Sequence, residues 1–242
     1  NKEKNAVVFA AADCTGHGVP GAIVSVICNN ALNRSLREFK SKTPAEILNT
    51  TRKLVVQEFE KSDRNVQDGM DIALCKLGKS QDPKHNFNLE FAGANNPLIV
   101  VREKSTSKNN LKVKSHNGDE VSIEPNKSNE THVLFEVKGD KQPIGMYVNE
   151  TPFTNHQVKI EKGDTIYLFS DGYYDQFGKA THSGDKTDAG KKLKTGNFKN
   201  ILLSMQQLTI DQQKVMLLNE FEKWRGPLEQ IDDVCVMGVK IG

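Results

Sequence analysis

Residues 6–21 read Ala6-Val7-Val8-Phe9-Ala10-Ala11-Ala12-Asp13-Cys14-Thr15-Gly16-His17-Gly18-Val19-Pro20-Gly21. The apolar run 6–12 predicts a strand, a glycine-rich turn follows, and Pro20 opens a segment with helical spacing. A carboxylate therefore stands at the mouth of a strand-to-helix junction, where backbone groups can approach a ligand closely. Ser170-Asp171-Gly172 follows a strand-like run and Asp232-Asp233 precedes one, so the placement recurs twice. Three carboxylates at strand ends suggest oxygen ligands for Mg²⁺ or Mn²⁺.

Taken singly, each aspartate has a plainer explanation. Asp13 suits an Asx bond in the turn before Pro20, Asp171-Gly172 an ordinary turn, and Asp232-Asp233 a solvated strand start. Gly16 to Gly21 also satisfies G-x-G-x-x-G, the dinucleotide-binding pattern. That pattern requires an acid about 20 residues on, at the end of a second strand. The nearest candidate, Glu38, closes a helical stretch that runs into another helix, so the nucleotide reading is weak.

Working outward, residues 20–39 place Ile23, Val24, Ile27, Ala31, Leu32 and Leu36 at helical spacing. Thr43-Pro44-Ala45-Glu46 is a helix start, with a capping threonine, proline at the first position and glutamate three residues after the cap. That second helix is expected over residues 44–62. Residues 72–77, 87–92 and 97–101 predict consecutive strands, and 133–137, 153–160 and 164–170 predict more. Lys162-Gly163-Asp164 predicts a tight turn between the last two. Residues 103–132 read as a polar insertion carrying a strand or two on solvated loops, and 178–197 as a mobile loop. Helices at 198–208 and 211–224 and a strand at 234–241 complete the chain.

The order is strand, two helices, many strands, two helices, strand. Lack of regular alternation argues against a doubly wound parallel sheet. The expected class is α+β, an αββα sandwich of two antiparallel sheets flanked by pairs of helices, over residues 1–242 as a single domain. Because the chain opens on Asn1, a piece of a longer protein, truncated at its N-terminus, is expected.

Composition narrows function by exclusion. The chain carries 33 basic and 31 acidic residues, net +2 and mixed along its length, so no electrostatic case exists for nucleic acid or for direct membrane contact. Cys14, Cys28, Cys75 and Cys235 form no Cys-x-x-Cys pair and have no histidines at zinc spacing. They read as small core residues in a reducing, cytoplasmic compartment.

Five segments together carry a resemblance. They are Asp13-Cys14-Thr15-Gly16-His17-Gly18-Val19-Pro20-Gly21-Ala22, Phe91-Ala92-Gly93-Ala94-Asn95-Asn96-Pro97, Gly139-Asp140-Lys141-Gln142-Pro143-Ile144-Gly145, Leu168-Phe169-Ser170-Asp171-Gly172 and Ile231-Asp232-Asp233-Val234. In this order, from Val7 to Ile241, the chain resembles the bacterial SpoIIE-type (RsbU-like) serine phosphatases, metal-dependent protein phosphatases related to type 2C.

The resemblance implies that Asp13 bridges two Mg²⁺ or Mn²⁺ ions, that the Cys14 carbonyl faces the second, and that Asp171 and Asp232 complete the first. The ions would hold a bridging water and aim it at phosphoserine or phosphothreonine. The substrate would be an anti-anti-sigma-type regulator, with sensor domains preceding Asn1 and acting on the first two helices, and a homodimer possible. The alternative is a catalytically inactive phosphoprotein- or partner-binding module of the same fold.

Departures from the family pattern matter as well. Gly93-Ala94-Asn95-Asn96 stands where type 2C relatives have Gly-Asp-Ser-Arg, so no third ligand carries over. The family's acidic strand motif does not occur in residues 1–5, and at most one ion is expected to bind well. His17 stands four residues after Asp13, rather than two, and reads as a turn histidine with no assigned role. Asp71, in Gly69-Met70-Asp71-Ile72-Ala73, reads equally as a residue supporting the cleft or as a solvent-facing edge.

Overall fold

A computed structural model of the chain describes residues 6–16, 18–60, 68–79, 87–104, 110–115, 118–178 and 190–242. Two antiparallel sheets pack face to face, and helices cover both outer faces. The class is the expected αββα sandwich.

The first sheet contains β1 (Ala6–Cys14), β2 (Gly69–Lys79), β3 (Phe87–Ala94), β5 (Leu111–Lys114), β6 (Glu120–Ile123), β9 (Ile144–Gly145) and β10 (His156–Val158). Its order is β1-β2-β3-β10-β5-β6, with β9 on the end of β2. The second sheet runs β14 (Val236–Lys240), β11 (Thr165–Phe169), β4 (Leu98–Glu103), β8 (His132–Val137) and β7 (Lys127–Ser128). A two-stranded ribbon joins β12 (Phe177–Gly178) to β13 (Lys191–Lys192).

Side chains on a strand alternate between faces, and this sorts the core into three layers. Ala11, Ala73, Cys75, Phe91, Leu98, Val100, Phe135, Ile166 and Leu168 fill the space between the sheets. Ile72, Leu74 and Ala92 point the other way, onto α1 (Gly18–Arg37) and α2 (Pro44–Glu60). Ile99, Val101, Tyr167 and Phe169 pack against α4 (Thr195–Ser204) and α5 (Ile210–Arg225), with α3 (Gly172–Asp175) at one edge.

The predicted cap of α2 is present. Thr43 Oγ1 accepts from the Glu46 amide at 3.3 Å, and Glu46 Oε2 accepts from the Thr43 amide at 3.3 Å. A second capping box, Thr209 with Gln212, starts α5 and was not anticipated. Helix α1 begins at Gly18 and ends at Arg37 rather than spanning 20–39, and Lys40 beyond it takes a positive φ of 52°. The end of the second predicted helix, 61–62, lies outside the described residues.

The segments between these elements differ in part from expectation. Segment 103–132 is not merely a solvated insertion. Leu111 and Val113 of β5 are buried in the inter-sheet core, and β5 pairs with both β6 and β10. The strand expected over 153–160 is confined to His156–Val158. The tight turn expected at Lys162-Gly163-Asp164 is present, closed by the Asp164 amide on the Glu161 carbonyl at 3.1 Å, and it joins strands of different sheets. Gly163, at φ 92°, bends the chain across while its amide bonds the Ile241 carbonyl at 2.8 Å. Of the loop expected at 178–197, residues 179–189 lie outside the described residues, and 191–192 form β13.

Two polar features close opposite ends of the inter-sheet space. Asp164, just before β11, takes two bonds from Arg102, at 2.8 Å from Nε and 2.7 Å from Nη2, and both residues are buried. Asp171 lies just past the other end of β11, in the site described next.

Candidate metal centre

Asp13 is the penultimate residue of β1. It shares strand parity with Ala11, so it projects toward the inter-sheet space at the end of its strand. Asp171 follows Ser170 at the end of β11 and occupies the cap position of α3, with φ −76° and ψ −19°. Its side chain makes no capping bond, and its Oδ1 is shielded from solvent with no hydrogen-bond partner. One oxygen of this carboxylate is thus left open to a ligand, while the group as a whole bonds to the Asp13 carboxyl.

Asp232 sits on the segment before β14, and short-range stitching brings it to Asp171. Ser170 Oγ donates to the Asp233 carbonyl at 3.1 Å and accepts from the Cys235 amide at 3.0 Å. Gln176 clamps the same segment from below, donating to the Glu229 carbonyl at 2.9 Å and accepting from the Ile231 amide at 3.3 Å. Gly172 is required by this closeness, since a Cβ there would stand 2.2 Å from the Asp233 carbonyl oxygen.

One carboxylate oxygen each from Asp13, Asp171 and Asp232 lie within 4.8 Å of one another. Asp13 and Asp171 are half-buried and Asp232 is exposed. Crowding has the expected electrostatic consequence. Burial first, then the charges of Asp232 and Asp171, a carboxyl–carboxyl hydrogen bond with Asp171 and the charge of Asp71 push Asp13 from 3.8 up to about 7. Burial and Asp232 raise Asp171 as well. A group of converging carboxylate oxygens that repel one another, one of them orphaned, fits a hard divalent cation.

Cys14 turns its side chain the opposite way, into the layer under α1, where Cys28 and Ser25 bond to its thiol. Only its backbone remains on the acidic side. His17 lies outside the described residues. Asp71 is half-buried rather than on a solvent-facing edge, and pairs directly across from Asp13 in the β1–β2 register. A cavity of about 440 Å³ opens beside the cluster, lined among others by Asp13, Gly16, Ser25, Asn29, Ser170 and Val234.

The raised Asp13 value fixes the sign of a pH dependence. Between 3.8 and about 7 the folded chain retains a proton on Asp13 that the unfolded chain has released. The contribution of Asp13 to stability therefore falls as pH rises through that window. Without added metal, the melting temperature is expected to drop from about pH 5 to about pH 8 more steeply than in Asp13→Asn. Identical pH profiles for the two proteins would show that the carboxylates are not crowded as described.

With the geometry in view, the chain can be placed. The family model described as Stage II sporulation protein E (SpoIIE) matches residues 3–117 and 126–242, and the chain belongs to that family. Its fold is that of PP2C domains of known structure. It is similar to the SiaA PP2C domain of Pseudomonas aeruginosa, at 20% identity and TM-score 0.70, over 100% of this chain and 78% of that one. It is similar to the PP2C phosphatase domain with a fragment of the regulatory domain of SpoIIE from Bacillus subtilis, at 14% identity and TM-score 0.58, over 98% of this chain and 55% of that one. The serine/threonine phosphatase of S. agalactiae matches at 16% identity and TM-score 0.55, over 99% and 89%. The chain thus spans about half the length of the Bacillus subtilis structure. No curated protein matches the chain. Among the described residues, no helix is long and apolar enough to cross a membrane.

Proposed function

We propose that this domain hydrolyses phosphoserine or phosphothreonine on a bacterial signalling protein with the help of Mg²⁺ or Mn²⁺. The observation that carries the reading is the convergence of Asp13, Asp171 and Asp232, three residues far apart in sequence, on one point at the end of the sandwich. These three would hold the ion, which when bound supplies charge neutralisation for phosphate and lowers the pKa of water. The orphaned Asp171 oxygen and the mutual repulsion around Asp13 support such a ligand set.

Around that point the chain's own residues perform the remaining work. Ser170 and Gln176 hold the Asp232 segment in position. Gly16 and Gly18, with φ of 89° and 67°, carry the chain from β1 into α1 beside the cavity. The adjoining cavity has room for a phosphorylated side chain and offers it Ser25 and Asn29, while Asp13 and Asp233 in the same lining leave the anion dependent on a bound cation. The regulatory fragment attached to the Bacillus subtilis domain supports a longer protein in which a sensor domain governs this one. A cytoplasmic location and a homodimer are part of the same reading.

A small aryl phosphate and a phosphoserine peptide are expected to be hydrolysed in the presence of Mn²⁺, with activity lost on chelation and restored by Mn²⁺. Calorimetric Mn²⁺ binding without hydrolysis of either substrate would instead identify the partner-binding module.

A further inference from the structure

Asp71 was not read from the sequence as part of the cluster, yet its surroundings are as closely specified as those of the three aspartates. It faces Asp13 across the β1–β2 ladder and shares the parity of Ala73 and Cys75, so both carboxylates enter the inter-sheet space side by side. Like charges directly opposite each other destabilise a ladder, so this pairing opposes folding in the absence of a cation. Asp71 Oδ1 accepts a bond from Asn95 Nδ2 at 2.8 Å. That donor is neutral: it satisfies one carboxylate oxygen and cancels no charge.

Asn95 is itself fixed. It sits in the left-handed region at φ 57°, and its amide donates to the Asp140 carbonyl at 2.8 Å. The Asp140 amide returns a bond to the Gly93 carbonyl at 2.9 Å. Thr154 holds the Asp140 carboxylate through its amide at 2.8 Å and its hydroxyl at 2.9 Å. Gly93 and Gly139 permit the contact, since a Cβ at either would come within 2.7 Å of the Asn96 carbonyl oxygen. An arginine or lysine in place of Asn95 would neutralise Asp71. This arrangement preserves its charge and aims it.

We infer that Asp71, aimed by Asn95, stands outside the three-carboxylate group and raises that group's affinity for a divalent cation by adding a fourth negative charge directly across the ladder from Asp13. The inference rests on the metal-dependent reading above. Burial raises the Asp71 carboxyl, the Asn95 bond opposes the rise and the charge of Asp171 adds to it, so Asp71 shares the crowding of the cluster.

The test is Mn²⁺ calorimetry on the intact chain and on Asp71→Asn, Asn95→Gly (glycine keeps the positive φ) and the double variant, with melting temperatures measured metal-free. Asp71→Asn is isosteric, and should weaken Mn²⁺ binding about tenfold while raising the metal-free melting temperature by relieving repulsion. Its turnover at saturating Mn²⁺ should return to within a few-fold of the parent, unlike that of a ligand variant. Asn95→Gly should weaken binding in the parent and add nothing in the Asp71→Asn background. Unchanged Mn²⁺ affinity in Asp71→Asn, with the parent binding tightly, would overturn this inference alone. Failure of the parent to bind Mn²⁺ would overturn the metal-dependent reading and this one with it.

Discussion

Asp13→Asn is expected to lower Mn²⁺-dependent hydrolysis by at least ~10²-fold, measured as kcat on an aryl phosphate at saturating Mn²⁺. Asp13 stands at the centre of the cluster: the charges of Asp232, Asp171 and Asp71 all act on it. Replacing its carboxylate with an amide removes a ligand oxygen's charge at the point where the other three converge. Asp171→Asn should cost a comparable factor, because its buried Oδ1 has no other partner. Both variants should fold, and their metal-free forms should melt no lower than the parent, since each relieves like-charge repulsion. Undiminished turnover by Asp13→Asn would remove the cluster from the chemistry altogether.

The second large effect is on stability, at the opposite end of the same inter-sheet space. Arg102→Met is expected to cost about 3–5 kcal/mol in unfolding free energy, because it leaves the buried Asp164 carboxylate without its charged partner. Arg102 also reaches Glu161 at 3.1 Å and the Lys159 carbonyl at 3.0 Å, so its loss loosens the turn that carries the chain between sheets. Pairing it with Asp164→Leu should recover much of the loss, since an apolar pair of similar volume removes the stranded charge. Urea unfolding of both proteins checks this; full stability of Arg102→Met alone would contradict the burial of the pair.

Much of the architecture was legible because it depends on local pattern. The helical spacing after Pro20, the Thr43–Glu46 box and the apolar strands each signal their element without tertiary information. Residues 111–114 were not legible, since Leu111 and Val113 alternate with lysines in a polar stretch and only the pairing of β5 with β10 shows that they are buried. In the site, Asp13, Asp171 and Asp232 could be singled out because each adjoins a strand end. Asp71 could not be resolved, because its role depends on which residue of β2 falls opposite Asp13, and register is set by tertiary structure. Asn95 was noticed only as a departure from the family pattern; its bond to Asp71 crosses between neighbouring strands. The stitching by Ser170 and Gln176 likewise depends on contacts across more than 50 positions of sequence.

The segment carrying Asp232 has no regular secondary structure of its own and is held down by Ser170, Gln176 and the close approach at Gly172. A segment tied by side chains at these points is expected to open and close as a unit, at a fraction of the free energy of global unfolding. Only the closed form presents Asp232 to its partners, so cation affinity scales with the closed population. The two equilibria are linked reciprocally: a bound cation must slow hydrogen exchange at the Ile231 and Cys235 amides, and any molecule that lifts the segment must weaken cation binding by the same factor. Exchange at those two amides that Mn²⁺ leaves unchanged would show that the segment does not open ahead of the rest of the fold.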